Sequence, residues 1–165
     1  MLEAAVRTCR RARITIAVDN YVDALLPDAP GLRRAPRLRE GALLPPLWAE
    51  HGLALVLELE DGSERHRVLF DAGWSPQVLA HNLEALGIDP RGFEVALLSH
   101  GHMDHWGGLQ WVRQRCPGLP VVLHPGAFAR RVQLMGGLRV ELPRLEEFPG
   151  ARAVSEPTPL CGGLA

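Results

Sequence analysis

An apolar strand that runs straight into a string of metal-type donors is the strongest constraint on this chain. Val95-Ala96-Leu97-Leu98 leads into Ser99-His100-Gly101-His102-Met103-Asp104-His105-Trp106, and Gly107-Gly108 follows. Four apolar residues in a row suit a strand covered on both faces. The two glycines then open the next helix. A buried strand thus delivers a donor-rich loop to a sheet end, where open α/β folds place their ligands. Three imidazoles and one carboxylate fall between His100 and His105, a density no packing requirement demands. Neutral imidazole nitrogen and carboxylate oxygen suit zinc and other first-row divalent ions.

The spacing has a physical reading. His100 and His102 are two apart, so in extended backbone they point to the same side and can grip one ion together. Asp104 continues the alternation and His105 breaks it. A turn into helix at this point lets Asp104 and His105 address a second ion. Two-metal sites hold their ions about 3.5–4 Å apart.

This string resembles the His-x-His-x-Asp-His signature of the metallo-β-lactamase superfamily. Upstream, Val68-Leu69-Phe70-Asp71-Ala72-Gly73-Trp74-Ser75 is similar to the strand and Asp-x-Gly-x-Ser turn that precede the signature. The resemblance implies that His100 and His102 bind one metal and that Asp104 and His105 bind the other. It implies that Asp104 also orients the nucleophile and is the catalytic residue. Asp71 is implied to support the ligands from behind, fixing their orientation; a plain turn or helix N-cap ahead of Pro76 is the alternative. The implied cofactor is a divalent metal, Zn2+ foremost, with two ions in an intact member; iron and manganese accept the same donors. Shorter strings narrow the resemblance. Val18-Asp19-Asn20-Tyr21, Ala49-Glu50-His51-Gly52, Asn82 with Leu86-Gly87-Ile88-Asp89, and Leu119–Pro125 are similar to a subgroup. It includes the archaeal dihydropterin–ribofuranosylaminobenzene phosphate synthases. The similarity runs from about Ile14 to about Pro159.

The implied fold is α/β: the N-terminal half of a metallo-β-lactamase-type αβ/βα sandwich, a mixed β-sheet with flanking helices. In the superfamily a third His, a bridging Asp and a last His come from the second half. After His105 this chain has one histidine, His124, and no aspartate. Residues 1–165 are therefore expected to form a single, incomplete domain. The implied activity is hydrolysis by metal-activated water, with a small phosphorylated or pterin-like substrate. The alternative is a catalytically inactive truncated half that acts as a binding or assembly module. His100, His102, Asp104 and His105 are expected to be the only metal locus.

Composition bounds the partners. Net charge is −1, which gives no general attraction to nucleic acid or anionic membrane; a small-molecule substrate is what the resemblance implies. All 18 basic residues are arginines. Those in Arg33-Arg34-Ala35-Pro36-Arg37-Leu38-Arg39 suit a solvated loop or a phosphate contact. Cys9, Cys116 and Cys161 show no Cys-x-x-Cys spacing, which argues against a disulfide framework or a thiolate zinc site. The apolar stretch from Ile14 ends at Asp19, far short of a signal h-region. The expected location is cytoplasmic.

Periodicity supplies the elements. Ile14–Val18 reads as a strand. Residues 27–46 read as an irregular Pro/Arg-rich insertion. Leu53–Leu59 and His66–Phe70 read as a hairpin across Asp61-Gly62-Ser63. Helices are expected over Pro76–Leu86, Gly107–Arg115 and Ala127–Leu134, and strands over Val95–Leu98, Pro120–Leu123 and Leu138–Leu142. Leu53, Leu55, Leu57 and Leu59 line one face, exposed or covered by another chain if a C-terminal half is missing; self-association is the expected consequence. Trp48, Trp74, Trp106 and Trp111 are expected in the core rather than against substrate.

Overall fold

The computed structural model describes residues 9–161. Its strands are β1 (Arg11–Val18), β2 (Leu38–Arg39), β3 (Ala42–Leu43), β4 (Ala54–Asp61), β5 (Glu64–Phe70), β6 (Val95–Leu98), β7 (Val121–Leu123), β8 (Val132–Met135), β9 (Leu138–Glu141) and β10 (Ala151–Ala153). Its helices are α1 (Pro76–Leu86), α2 (Met103–Trp106) and α3 (Leu109–Arg115). Six strands form one sheet in the order β1-β4-β5-β6-β7-β10. The β1–β4 and β4–β5 pairs are antiparallel, and β5, β6, β7 and β10 run parallel. The pairs β2–β3 and β8–β9 are separate small ladders.

Strand alternation sorts side chains onto two faces. Ala54, Val56, Leu69, Ala96, Leu98, Val121 and Leu123 face the helices, where Leu79 and Leu83 of α1 and Leu109 and Val112 of α3 complete the main core. On the other face, buried Val68, Val95 and Val122 pack with Leu57, Leu97, Val154, Leu160 and Cys161. The segment near Val154–Cys161 therefore covers part of this face, and Leu53, Leu55, Leu57 and Leu59 are half-buried. β6 is covered on both sides as its apolar run predicts. Helix α1 starts where Ser75 Oγ accepts from the Val78 amide and Pro76 takes the first turn, and it ends on Gly87 in left-handed backbone.

Three expectations need correction. Ala127–Leu134 is not a helix. A short 3₁₀ turn, Pro125–Phe128, gives way to the β8–β9 hairpin. Gly136 and Gly137, at φ 55° and 84°, supply the two left-handed positions that a tight hairpin turn needs. The helix expected over Gly107–Arg115 is present, but its start moves to Leu109: α3 runs Leu109–Arg115, and a separate short helix, α2, precedes it across the two glycines. Lastly, Trp48 and Trp74 are 47% and 45% exposed; only Trp106 and Trp111 pack against the core.

Asn82 ties the sheet to the segment that follows the insertion, from the buried face of α1. Its amide nitrogen donates to Ala17 O (2.7 Å) and Trp48 O (2.9 Å), and its oxygen accepts from the Trp48 amide (2.8 Å). Replacing it strands buried backbone groups, each costing about 1–3 kcal/mol. Asn82→Ala is expected to lower unfolding free energy by about 2–3 kcal/mol in urea denaturation.

Candidate metal centre

The parallel strands β5 and β6 end side by side, so the segments that follow them meet. Asp71 follows β5 and Ser99 follows β6. Asp71 is 1% exposed and adopts φ 58°, a left-handed conformation that aspartate tolerates better than most residues. Its Oδ1 accepts from the Ser99 amide at 2.8 Å, and its Oδ2 accepts from Ser99 Oγ at 2.7 Å. Oδ2 also lies 2.7 Å from His105 Nδ1. An ionised carboxylate only accepts, so His105 Nδ1 carries the proton and Nε2 is left bare. The same reasoning extends to His100. Ser99 Oγ spends its one proton on Asp71, so at 2.9 Å it accepts from His100 Nδ1. His100 Nε2 is bare too. Asp71 is the buried anchor of both rings, not a helix cap; Ser75 is the cap.

The bare nitrogens face their partners in pairs. His100 Nε2 lies 3.0 Å from His102 Nδ1. Two nitrogens on one tetrahedral zinc sit about 3.3 Å apart, so this pair fits adjacent corners of such an ion. His105 Nε2 lies 3.4 Å from Asp104 Oδ2. The rings of His100 and His105 approach to 4.2 Å between centroids. Burial, with His105 and His102 adding charge repulsion, holds the His100 imidazole below its ordinary range, which favours the neutral form that binds metal. Each pair suits a divalent cation in donor type and spacing. The four residues do not, however, close into a single cage.

The motif is held by close backbone approach. Helix α2 lies against the turn after Asp71. Ala72 N donates to His105 O (2.7 Å) and Gly107 N to Gly73 O (2.9 Å). A Cβ at Gly107 would collide with Trp74 O, and one at Gly108 with Ala72 O. Both glycines are therefore required at this crossing. Glu50 braces the same turn: its carboxylate accepts from the Trp74 amide, the Ser75 amide and Ser75 Oγ at 3.0, 3.0 and 2.7 Å. Asn20 Oδ1 accepts from the Gly52 amide at 3.1 Å.

One residue at the site was not singled out by the sequence. His51 Nε2 lies 3.3 Å from Asp104 Oδ2. Its signal was present in the Glu50-His51-Gly52 string, whose residues on either side hold it there. Trp74 stands beside it, with 5.9 Å between ring centroids. The arginine cluster has a partly structural explanation, since Arg39 donates to Ala85 O near the end of α1.

With this geometry established, comparison with known proteins is informative. A family model described as "Metallo-beta-lactamase superfamily" matches residues 48–159. The chain belongs to this superfamily. Its mixed sheet with flanking helices is the superfamily's fold. A curated relative from Methanocaldococcus jannaschii, 7,8-dihydropterin-6-methyl-4-(beta-D-ribofuranosyl)-aminobenzene-5'-phosphate synthase, is 33% identical over 84 residues. That alignment covers 50% of this chain and 29% of the relative. An uncharacterized protein of the same organism is 38% identical over 65 residues, which is 39% of this chain and 23% of that protein. The chain thus spans less than a third of the curated relatives it matches. Among solved structures, the Rm3 metallo-beta-lactamase is 23% identical with a TM-score of 0.43, covering 62% of this chain and 39% of the enzyme. A subclass B3 metallo-beta-lactamase from a soil metagenome library is 20% identical with a TM-score of 0.44, covering 66% and 43%.

The tautomer assignment is directly measurable. Nitrogen-15 spectra at neutral pH are expected to show His105 protonated at Nδ1 and bare at Nε2, and Asp71→Ala is expected to abolish that preference. A dominant Nε2–H form in the parent protein contradicts the Asp71 anchor.

Proposed function

We propose that this chain carries the metal-binding part of a hydrolase that activates water at a dinuclear divalent-metal site. The supporting observation is the Asp71 anchor, which leaves Nε2 of both His100 and His105 bare. His100 and His102 would hold one ion, and Asp104 and His105 the other. Bound there, such ions lower the pKa of coordinated water toward neutral and stabilise negative charge on the attacked group. The chain's own residues do the rest. Asp71 fixes ring orientation, directly for His105 and through Ser99 for His100. Asp104 orients the nucleophile. His51 stands beside Asp104, with Nε2 3.3 Å from Oδ2, and restricts the rotation of its carboxylate. The exposed face of Trp74 offers a wall for a planar substrate. The M. jannaschii relative is named for a dihydropterin and a phosphate; a small phosphorylated or pterin-like substrate follows by that similarity. Zinc is the preferred ion on donor type.

A specific observation favours the second reading, an inactive module for binding or assembly. The donors between His100 and His105 come together as pairs, whereas catalytic zinc sites use three protein ligands.

Elemental analysis and turnover separate the two. The parent protein is expected to retain zinc or manganese and His100→Ala/His102→Ala to hold less of it; equal metal in both rules out the assignment. Asp71→Ala is expected to weaken metal affinity about 10–100-fold. Metal-dependent turnover of phosphoesters that disappears in Asp104→Ala supports the hydrolase. Retained metal without turnover supports the module.

A further inference from the structure

At the other end of β6 a second group of donors converges. His66 lies near the start of β5, Glu94 immediately precedes β6, and Cys161 lies in the segment that covers the second face of the sheet. One ligand atom from each lies within 4.8 Å of the other two. Among the described residues this is the one group of three or more His, Cys, Asp or Glu residues to converge so closely. We propose that His66, Glu94 and Cys161 form a divalent-cation site with zinc-type chemistry, separate from His100–His105.

Three observations carry it. First, the donor set is an imidazole, a carboxylate and a thiol, each a zinc ligand, and three protein ligands leave one position for water. Second, His66 Nδ1 lies 2.9 Å from Glu94 Oε2, close to the ligand–ligand edge of about 3.3 Å in a tetrahedral zinc site. A cation can replace the shared proton there with little movement. The ring's other nitrogen, the buried Nε2, meets no hydrogen-bond partner among the described residues. Third, two of the three donors border a surface cleft, and the acid among them carries no arginine. A surface cleft of about 240 Å³ is lined by His66 and Glu94, along with several arginines and glutamates. Glu58 is engaged by Arg13 and Arg67, and Glu60 by Arg11 and Arg65. The remaining acid in the cleft, Glu94, forms no arginine ion pair among the described residues; its partners are His66 Nδ1 and the Arg67 amide, so a cation would compete only with the proton shared with His66.

The three ligands come from separate segments, which is why no Cys-x-x-Cys or His-x-His spacing announces them. The proposal departs from two sequence expectations: that the cysteine spacing argues against a thiolate zinc site, and that His100–His105 is the only metal locus.

Cobalt(II) titration of the reduced full chain tests the proposal, because a thiolate ligand gives a near-ultraviolet charge-transfer band that histidine and aspartate ligands do not. The expected result is a band saturating at one equivalent, displaced by zinc, and retained in His100→Ala/His102→Ala. Cys161→Ser is expected to abolish it, and Cys9→Ser and Cys116→Ser to leave it. Glu94→Gln alters an exposed side chain, so the fold should be preserved; it is expected to raise the cobalt Kd about tenfold or more. No band in the folded parent protein overturns the proposal, as does a band that survives in Cys161→Ser. An unchanged Kd in Glu94→Gln also overturns it.

Discussion

The acceptor capacity of one buried carboxylate organises the functional end of this fold. A charge without solvent is costly unless hydrogen bonds replace its hydration. Asp71 receives three donors: the Ser99 amide, Ser99 Oγ and His105 Nδ1. Ser99 opens the donor string and His105 closes it, so a single side chain fixes both ends of the loop. The order of the strands makes this arrangement available. Because β5 and β6 are parallel neighbours, their C-terminal ends bring Asp71 and Ser99 together. Metal-ligating histidines characteristically commit one ring nitrogen to such an acceptor. Here the commitment is built into the turn that leaves β5.

Around this anchor the short subgroup-like strings prove to be braces. Asp19 O accepts from the Glu50 amide, Asn20 accepts from Gly52, Glu50 caps the Trp74–Ser75 turn, and Asn82 joins Ala17 to Trp48. Each satisfies backbone groups that would otherwise be stranded where chain segments cross. These matches therefore report a shared architecture around the donor loop. They carry little information about substrate, because their side chains are occupied with backbone. His51 is the exception: its flanking residues are the braces, and its own ring is left facing Asp104.

What sequence reasoning recovers follows the range of the forces involved. Local signals were sufficient for α1, whose apolar periodicity and terminal glycine set limits identical to those observed. They were also sufficient for β6, whose apolar run is buried on both faces. Elements decided by tertiary contact were misread. The break between α2 and α3 comes from the approach of Ala72 and Trp74 carbonyls to Gly107 and Gly108, which periodicity cannot register. β8 was mistaken for the end of a helix because Ala127, Phe128, Val132 and Leu134 mimic a helical stripe, whereas β9 was read as a strand. The paired glycines after Met135 were the better signal. Trp48 was assigned to the core on apolarity, yet it stacks on His81 at 3.8 Å near the surface. The donor string was visible at once because its ligands are contiguous; His66, Glu94 and Cys161 were not, because folding alone brings them together.

That contrast bears on what a cation would do at each end of the sheet. Between His100 and His105 every donor lies in one short loop already pinned by Asp71. A cation there closes almost no additional chain, so its effect on folding is small and its effect on local charge is large, the balance suited to chemistry. His66, Glu94 and Cys161 come from segments far apart in the chain. A cation joining them would close long loops, and the entropy removed from the unfolded chain grows with loop length. It would also hold the C-terminal segment against Val68, Val95 and Val122, where that segment covers the second face of the sheet. The geometry thus divides the sheet by end: a preorganised donor loop where the parallel strands finish, and a cross-chain clip where they begin.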